Sequence, residues 1–218
     1  MTEERFYCLS DNSFAVKGAP WISGAYAERT LLAECPACKT RVTEPNGTIE
    51  LRPDQSKGSF WSDVIGCGGG IMGLYLSARV MEVLKTEAVR YGKAFPAEVG
   101  KPFPKKLAES TAPQYFYVTG ELGAKFDFEG SGYRIQSVCS SCGTVKHDPA
   151  SNPVKDQFID GSWNGSDIFY TDLSPTAMYC GDRILGLARL HRWTNFRFVP
   201  LQDVHNYSHK GIDYLKEE

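Results

Sequence analysis

The stretch VCSSCGTV, residues 138–145, places two thiols three positions apart and follows them with a glycine. A second pair lies in ECPACKT, residues 34–40. One Cys-x-x-Cys pair has several uses, but two pairs supply four thiolates, which is the ligand set of a tetrahedral zinc site. Gly143 suits the tight turn that aims both sulfurs of a pair at one metal, because such turns often need a positive φ. The sequence therefore predicts one structural zinc ion per chain. Its ligands are Cys35, Cys38, Cys139 and Cys142.

The two cysteine pairs are separated by a constant offset. Each cysteine of the second pair lies 104 residues after its counterpart, since 139 − 35 and 142 − 38 are both 104. The same offset aligns Asp63 with Asp167 and Arg79 with Arg183. A chance alignment explains this combination poorly. We infer an internal duplication whose two Cys-x-x-Cys turns meet near a pseudo-twofold axis and share one metal.

The repeat leads to a prediction of the fold class. We expect an α+β protein of two pseudo-repeated halves, residues 1–104 and 105–218, packed as one compact unit. Each half would contain antiparallel strands, a Cys-x-x-Cys turn and one main helix. The apolar stripes predict helices over 73–91 and 175–193, the second with Ser174 as its N-cap. Residues 100–114, rich in proline and lysine, would link the halves.

Composition restricts the partners. The 218 residues are 42% hydrophobic and 23% charged, with a formal net charge of −2 and a pI near 6.1. This is not the basic footprint of a protein that binds phosphates, so nucleic acid is disfavoured as a partner. The N-terminal MTEERFYCLS has no apolar run of signal-peptide length, and no stretch suggests a membrane span. We therefore expect a cytoplasmic protein with reduced thiols and no membrane partner.

The cysteines have two alternative interpretations. The site could be degraded and empty, or one pair could be a thioredoxin-type redox motif. Redox pairs usually sit at a helix N-terminus, which lowers the thiol pKa, whereas both pairs here follow strand-like segments. A zinc ion with four thiolates has no open coordination position, so it stabilises rather than catalyses.

Three further patterns are compatible with chemistry but favour structural roles. Gly68, Gly70 and Gly73 spell G-x-G-x-x-G, but no βαβ pattern surrounds them, which favours a plain loop over a dinucleotide site. The aligned Asp and Arg residues favour ion pairs over an acid/base pair. His205 and His209 are four apart in a loop-like context. No base and nucleophile combine in a plausible way, so the sequence predicts a protein that is not an enzyme.

An acidic stretch with aromatic residues is a candidate interface. Residues 156–182 contain five aspartates and no lysine or arginine. Acidic and aromatic side chains together suit an inhibitor that is steered by charge and anchored by rings. The candidate contacts are Trp163, Asp167, Phe169 and Asp172.

These features together resemble a known family. The two Cys-x-x-Cys pairs, WSDVIG (61–66), LSARVMEVL (76–84) and WTNFRFVPLQ (193–202) resemble the double-CxxCG motif proteins of bacterial polymorphic-toxin loci, over residues 5–203. The resemblance implies an immunity protein that binds and neutralises a cognate toxin, with its paired cysteines at the four positions above. Lys39 stands where the family has a glycine. The alternative function is a zinc-ribbon-like nucleic-acid-binding or adaptor protein.

Overall fold

The computed structural model describes residues 4–11, 18–54, 56, 58–206, 211–212 and 214–215, and their regular structure is mostly β. The strands are β1 (Phe6–Asp11), β2 (Trp21–Glu34), β3 (Arg41–Pro53), β4 (Val64–Cys67), β5 (Leu74–Ser77), β6 (Ala94–Val99), β7 (Tyr115–Val118), β8 (Glu121–Ala124), β9 (Ile135–Val138), β10 (Val145–His147), β11 (Ile168–Thr171), β12 (Ser174–Gly181) and β13 (Phe196–Pro200). The helices are α1 (Ala78–Thr86) and α2 (Asp182–Leu190), with 3₁₀ turns at Lys105–Leu107 and Leu201–Asp203. Neither α-helix of this described part has the length or apolar character needed to cross a membrane.

Six strands close into a barrel in the order β2-β3-β6-β7-β5-β4. The two longest, β2 and β3, pair antiparallel along their whole length, from Ile22 opposite Pro53 to Glu34 opposite Arg41. Fully buried apolar side chains fill the barrel because alternate residues of each strand point inward. They include Ile22, Ile49, Leu51, Ile65, Tyr75 and Tyr115. Residues 28–34 of β2 are all exposed, so the outer part of the β2–β3 hairpin projects beyond this core.

The remaining strands form an open sheet and a separate hairpin. The open sheet has the order β13-β1-β12-β11-β8, with β8 parallel to its neighbour at the edge. The N-terminal strand β1 lies inside it, with Tyr7 opposite both Cys180 and Pro200. A shared apolar cluster joins this sheet to both helices and to part of the barrel, with Val64, Val80 and Ile184 fully buried in it. The β9–β10 hairpin pairs with no other strand among the described residues.

This architecture corrects the predicted fold class. The α+β prediction of two helix-bearing repeated halves is wrong, because the protein is mostly β and has a closed six-stranded barrel beside an open five-stranded sheet. The two halves of the sequence use their Cys-x-x-Cys hairpins differently. Strands β2 and β3 belong to the barrel, whereas β9 and β10 form a separate two-stranded sheet. The offset of 104 nevertheless holds for single elements, since it relates the bounds of α1 to those of α2.

The predicted helices, 73–91 and 175–193, extend beyond α1 and α2 at both ends. Residues 74–77 form β5 and residues 174–181 form β12, and each strand runs directly into a nine-residue helix. All four residues of β5 are buried, and a short run buried on both faces fits a strand and a helix equally well. Ser174 is therefore not an N-cap. Ser77 caps α1 by accepting from the Val80 N–H, and Gly181 precedes α2.

Candidate metal centre

Each cysteine pair lies in the turn at the tip of a β-hairpin. In the β2–β3 turn, the Cys35 N–H donates to the Thr40 carbonyl at 2.9 Å and the Lys39 N–H donates to the Cys35 carbonyl at 3.0 Å. The β9–β10 turn repeats both bonds 104 residues later, at 2.9 and 2.8 Å. Because backbone hydrogen bonds set the shape of each turn, both sulfurs of a pair are positioned locally before any metal binds.

The two turns share a left-handed residue. Gly143 has φ +72°, and a Cβ at this position would meet no atom within 4 Å. At the aligned position Lys39 has φ 60°, a conformation that costs an L-residue about 1–2 kcal/mol. The lysine at this position therefore keeps the shape of the turn and makes it more strained than its glycine counterpart.

The four predicted ligands lie together. The Sγ atoms of Cys35 and Cys139 are 3.7 Å apart, and those of Cys38 and Cys142 are 3.5 Å apart. All four Sγ atoms lie within 4.8 Å of one another. A tetrahedron with Zn–S bonds of about 2.3 Å has S···S edges of about 3.8 Å, so the cluster is close to the size required. The four cysteines can hold one metal ion, as their common offset predicted.

Cys38 and Cys142, the second cysteine of each pair, are called the outer cysteines. Hydrogen bonds at their sulfurs favour the thiolate form. The Sγ of Cys38 lies 3.1 Å from Thr40 Oγ1, and the Sγ of Cys142 lies 3.1 Å from Thr144 Oγ1. Hydrogen bonds from the side chain and backbone of Thr40 lower the pKa of the Cys38 thiol to about 6. The corresponding bonds from Thr144 lower the pKa of Cys142. Metal ligation requires thiolates, so these two residues are prepared for it.

The pKa of Cys35, the buried cysteine of the cluster, is shifted in the opposite direction. The backbone N–H of Cys38 favours its thiolate, but desolvation and the nearby sulfurs of Cys142 and Cys38 outweigh this bond and raise the pKa of Cys35 to about 11. Four neighbouring sulfurs cannot all carry charge without a cation between them. A bound metal would therefore displace the proton of Cys35.

The β9–β10 hairpin contacts the rest of the molecule through aromatic rings. Tyr133, just before β9, lies edge-on to His147 of β10 at 5.0 Å and to His205 at 6.1 Å. The Nε2 of His205 is 2.9 Å from a carboxylate oxygen of Asp156. His205 therefore interacts with the carboxylate of Asp156 through this nitrogen. His209, the other histidine of this pattern, lies outside the described residues.

The four candidate toxin contacts each interact with other residues of the chain. Phe169 is fully buried, which corrects its assignment to a contact surface. Trp163 packs on Phe6 and donates to the Ser166 carbonyl at 3.0 Å. The carboxylate of Asp167 binds Arg183 and the Arg90 N–H, and Asp172 accepts from the Phe126 N–H at 2.8 Å. Internal bonds account for part of the acidic stretch, and Trp163, Asp167 and the exposed Asp172 stay predicted contacts.

The glycine-rich segment 66–73 has a packing role. It leads into strand β5 rather than a helix, so the context of a dinucleotide site is not met. Gly69 and Ile71 bond to the backbone of Ala25, and a Cβ on Gly70 would lie 2.0 Å from the Ala25 carbonyl oxygen. These glycines allow the loop to lie directly on β2.

The threonines beside the outer cysteines are what sequence reasoning missed at this centre. Thr40 and Thr144 obey the same offset as the cysteines, and this was the available signal for a role at the centre. The fold and site together define a β-rich protein with a four-cysteine cluster between two hairpin tips. Comparison with protein-family models finds no matching family, and comparison with curated proteins finds no matching relative. The resemblance to the double-CxxCG proteins therefore stays a prediction.

Proposed function

We propose that the cluster binds one structural zinc ion that ties the two hairpin tips together. The observation that carries this proposal is the spacing of the four sulfurs, which come from hairpins 104 residues apart yet lie at nearly tetrahedral distances. Four thiolates in a tetrahedral arrangement select zinc over the harder cations. The coordination sphere is closed, so the metal has no position for a substrate.

The proposed zinc ion would matter most for the β9–β10 hairpin. An isolated two-stranded hairpin is marginally stable in water, and this one pairs with no other described strand. Metal-binding free energy becomes folding free energy when the site exists only in the folded chain. Zinc would thus hold β9–β10 against the exposed end of β2–β3.

Intact-mass measurement under native conditions tests the metal assignment. One zinc per chain is expected, while two zinc ions, none, or a different metal such as iron would contradict the proposal. Cys142→Ser should lower the zinc content sharply. Cys67→Ser is the matched control, because Cys67 lies outside the cluster and donates to the Gly69 carbonyl, a bond that a serine hydroxyl can replace.

We further propose that the protein acts in the cytoplasm as an immunity protein, a stoichiometric inhibitor of a cognate bacterial toxin. The support is the resemblance of the two cysteine pairs and their flanking segments to the double-CxxCG proteins, together with a four-cysteine cluster whose metal ion would stabilise rather than catalyse. The inhibitor would occlude the active site or substrate surface of the toxin, in an interface of about 1,600 Å².

A growth assay tests immunity. A candidate toxin encoded at the same locus would be expressed in a sensitive bacterium with and without this protein. Rescue of growth together with a copurifying complex is the expected result. Continued killing by a toxin that is active by itself would rule out this pairing.

A further inference from the structure

The four sulfurs of the cluster differ in their access to water. Cys35 is buried at 8% exposure and Cys139 is partly exposed, so the contact between their sulfurs is half-buried. Cys142 is exposed and Cys38 is partly exposed, and their sulfurs face each other across the two hairpins at 3.5 Å. A small oxidant in solution therefore reaches the Cys38–Cys142 side of the cluster first.

We propose that this side of the cluster is a redox-sensitive clasp, in which a peroxide converts Cys38 and Cys142 into a disulfide between the hairpins and the metal leaves. The proposal rests on the proposed zinc site. The sulfurs need to approach by about 1.5 Å to reach the S–S bond length of about 2.05 Å. Each hairpin tip is an independent turn with its own hydrogen bonds, so a small relative shift of the two tips is sufficient.

The chemistry balances with hydrogen peroxide as the oxidant. The thiolate of Cys142 attacks one peroxide oxygen, the O–O bond breaks, and a sulfenic acid and hydroxide form. The thiolate of Cys38 then attacks this sulfur, the S–S bond forms, and the S–O bond breaks with loss of a second hydroxide. The two thiolates lose two electrons, and one peroxide with two protons from solvent becomes two waters.

The disulfide changes the metal site but keeps the link between the hairpins. Only Cys35 and Cys139 remain as ligands, and two thiolates do not complete a tetrahedral zinc site. Zinc is therefore released. The covalent bond between residues 38 and 142 still joins the two hairpin tips. Oxidation therefore replaces the link through zinc with a disulfide and does not unfold the hairpins.

Peroxide treatment of the zinc-loaded full-length chain tests the proposal. Zinc release would be followed with a colorimetric chelator, and the disulfides would be mapped by mass spectrometry after alkylation of the remaining thiols. We expect zinc release to rise in step with a peptide that joins Cys38 to Cys142, and to be reversed by reductant plus zinc. Disulfides within a turn, Cys35 to Cys38 or Cys139 to Cys142, would overturn the proposal, as would zinc release with sulfinic acids and no disulfide.

Two controls separate this proposal from the zinc assignment. Cys67→Ser should leave both the release and the disulfide unchanged, because Cys67 lies outside the cluster. A chain that carries no zinc before peroxide is added would overturn the proposed zinc site. Mapping of that same chain still decides the disulfide: a Cys38–Cys142 link supports the pairing, and a link within one turn contradicts it.

Discussion

The carboxylate of Asp63 accepts hydrogen bonds from Thr194, 131 residues away, at 2.8 Å from the backbone N–H and 3.0 Å from the hydroxyl. The same carboxylate pairs with Arg79 at 2.7 Å. Asp167 makes the counterpart contacts, with the Arg90 N–H at 2.7 Å and Arg183 at 3.1 Å. Thr194 follows α2 and Arg90 follows α1. Asp63, in the first half of the sequence, therefore holds the segment after α2, and Asp167, in the second half, holds the segment after α1.

The Asp63 contacts predict a loss of stability on neutralisation. Burial alone would raise the pKa of Asp63, but hydrogen bonds from Arg79, the Thr194 backbone and Ser77 outweigh it and hold the pKa below its ordinary value. Asp63→Asn should therefore lower the free energy of unfolding by about 1.5–3 kcal/mol, the usual range for hydrogen bonds to a charged group. Urea titration followed by circular dichroism measures it.

The same contacts predict a pH dependence. Because the folded pKa is depressed, the stabilisation is complete above the ordinary pKa of 3.8 and is lost as pH falls through the lower folded value. The difference between the wild-type protein and Asp63→Asn should shrink as the pH falls below 3.8. Asp160→Asn, at an exposed position, is the matched control and should be neutral. Equal effects of the two substitutions would contradict the role of Asp63.

Sequence reasoning found the cluster and the ion pairs because both depend on residues that the offset of 104 aligns. It could not find the barrel, since closure depends on β2 pairing with β4 and β3 with β6, and no local pattern encodes those parallel contacts. It also assigned β1 to the first half, where its sequence lies. In the structure β1 pairs with β12 and β13, more than 160 residues away, and such pairing is decided by tertiary packing.

The position of β1 predicts that its core residues stabilise the far end of the chain. Leu9 is 3% exposed and lies opposite both Met178 and Phe198. Leu9→Ala should cost about 2–5 kcal/mol through lost burial and a residual cavity. Leu122→Ala makes the same change at a 56% exposed position of the same sheet and should stay within about 0.5 kcal/mol. Denaturant titration of both variants checks this, and similar midpoints would argue against a buried β1.

The two turns of the metal centre predict that substitutions at Lys39 and Gly143 change the stability of the chain in opposite directions. Lys39→Gly removes a side chain from a left-handed position and should stabilise the chain by about 0.5–1 kcal/mol, part of the strain being offset by the greater backbone entropy of glycine when unfolded. Gly143→Ala should destabilise it by about 1 kcal/mol, and φ is the sole cause because its Cβ would meet no atom within 4 Å. Thermal unfolding with zinc at saturation compares them. A stabilising Gly143→Ala would show that the turn tolerates either residue.

The outer cysteine Cys38 should be an unusually reactive thiol once a chelator has removed the metal. Its pKa of about 6 means that it is mostly thiolate above pH 6 and mostly thiol below, so the rate of alkylation by iodoacetamide should rise with a midpoint near pH 6. Burial raises the pKa of Cys8 to about 12, which makes that residue an internal unreactive reference. Thr40→Val removes the hydroxyl that lies 3.1 Å from the Cys38 sulfur and is the main cause of its lowered pKa, so the midpoint should move upward toward the ordinary value of 9.0. Peptide mapping of alkylated fractions across pH gives both midpoints, and a midpoint for Cys38 that Thr40→Val leaves unchanged would show that the hydroxyl does not stabilise the thiolate.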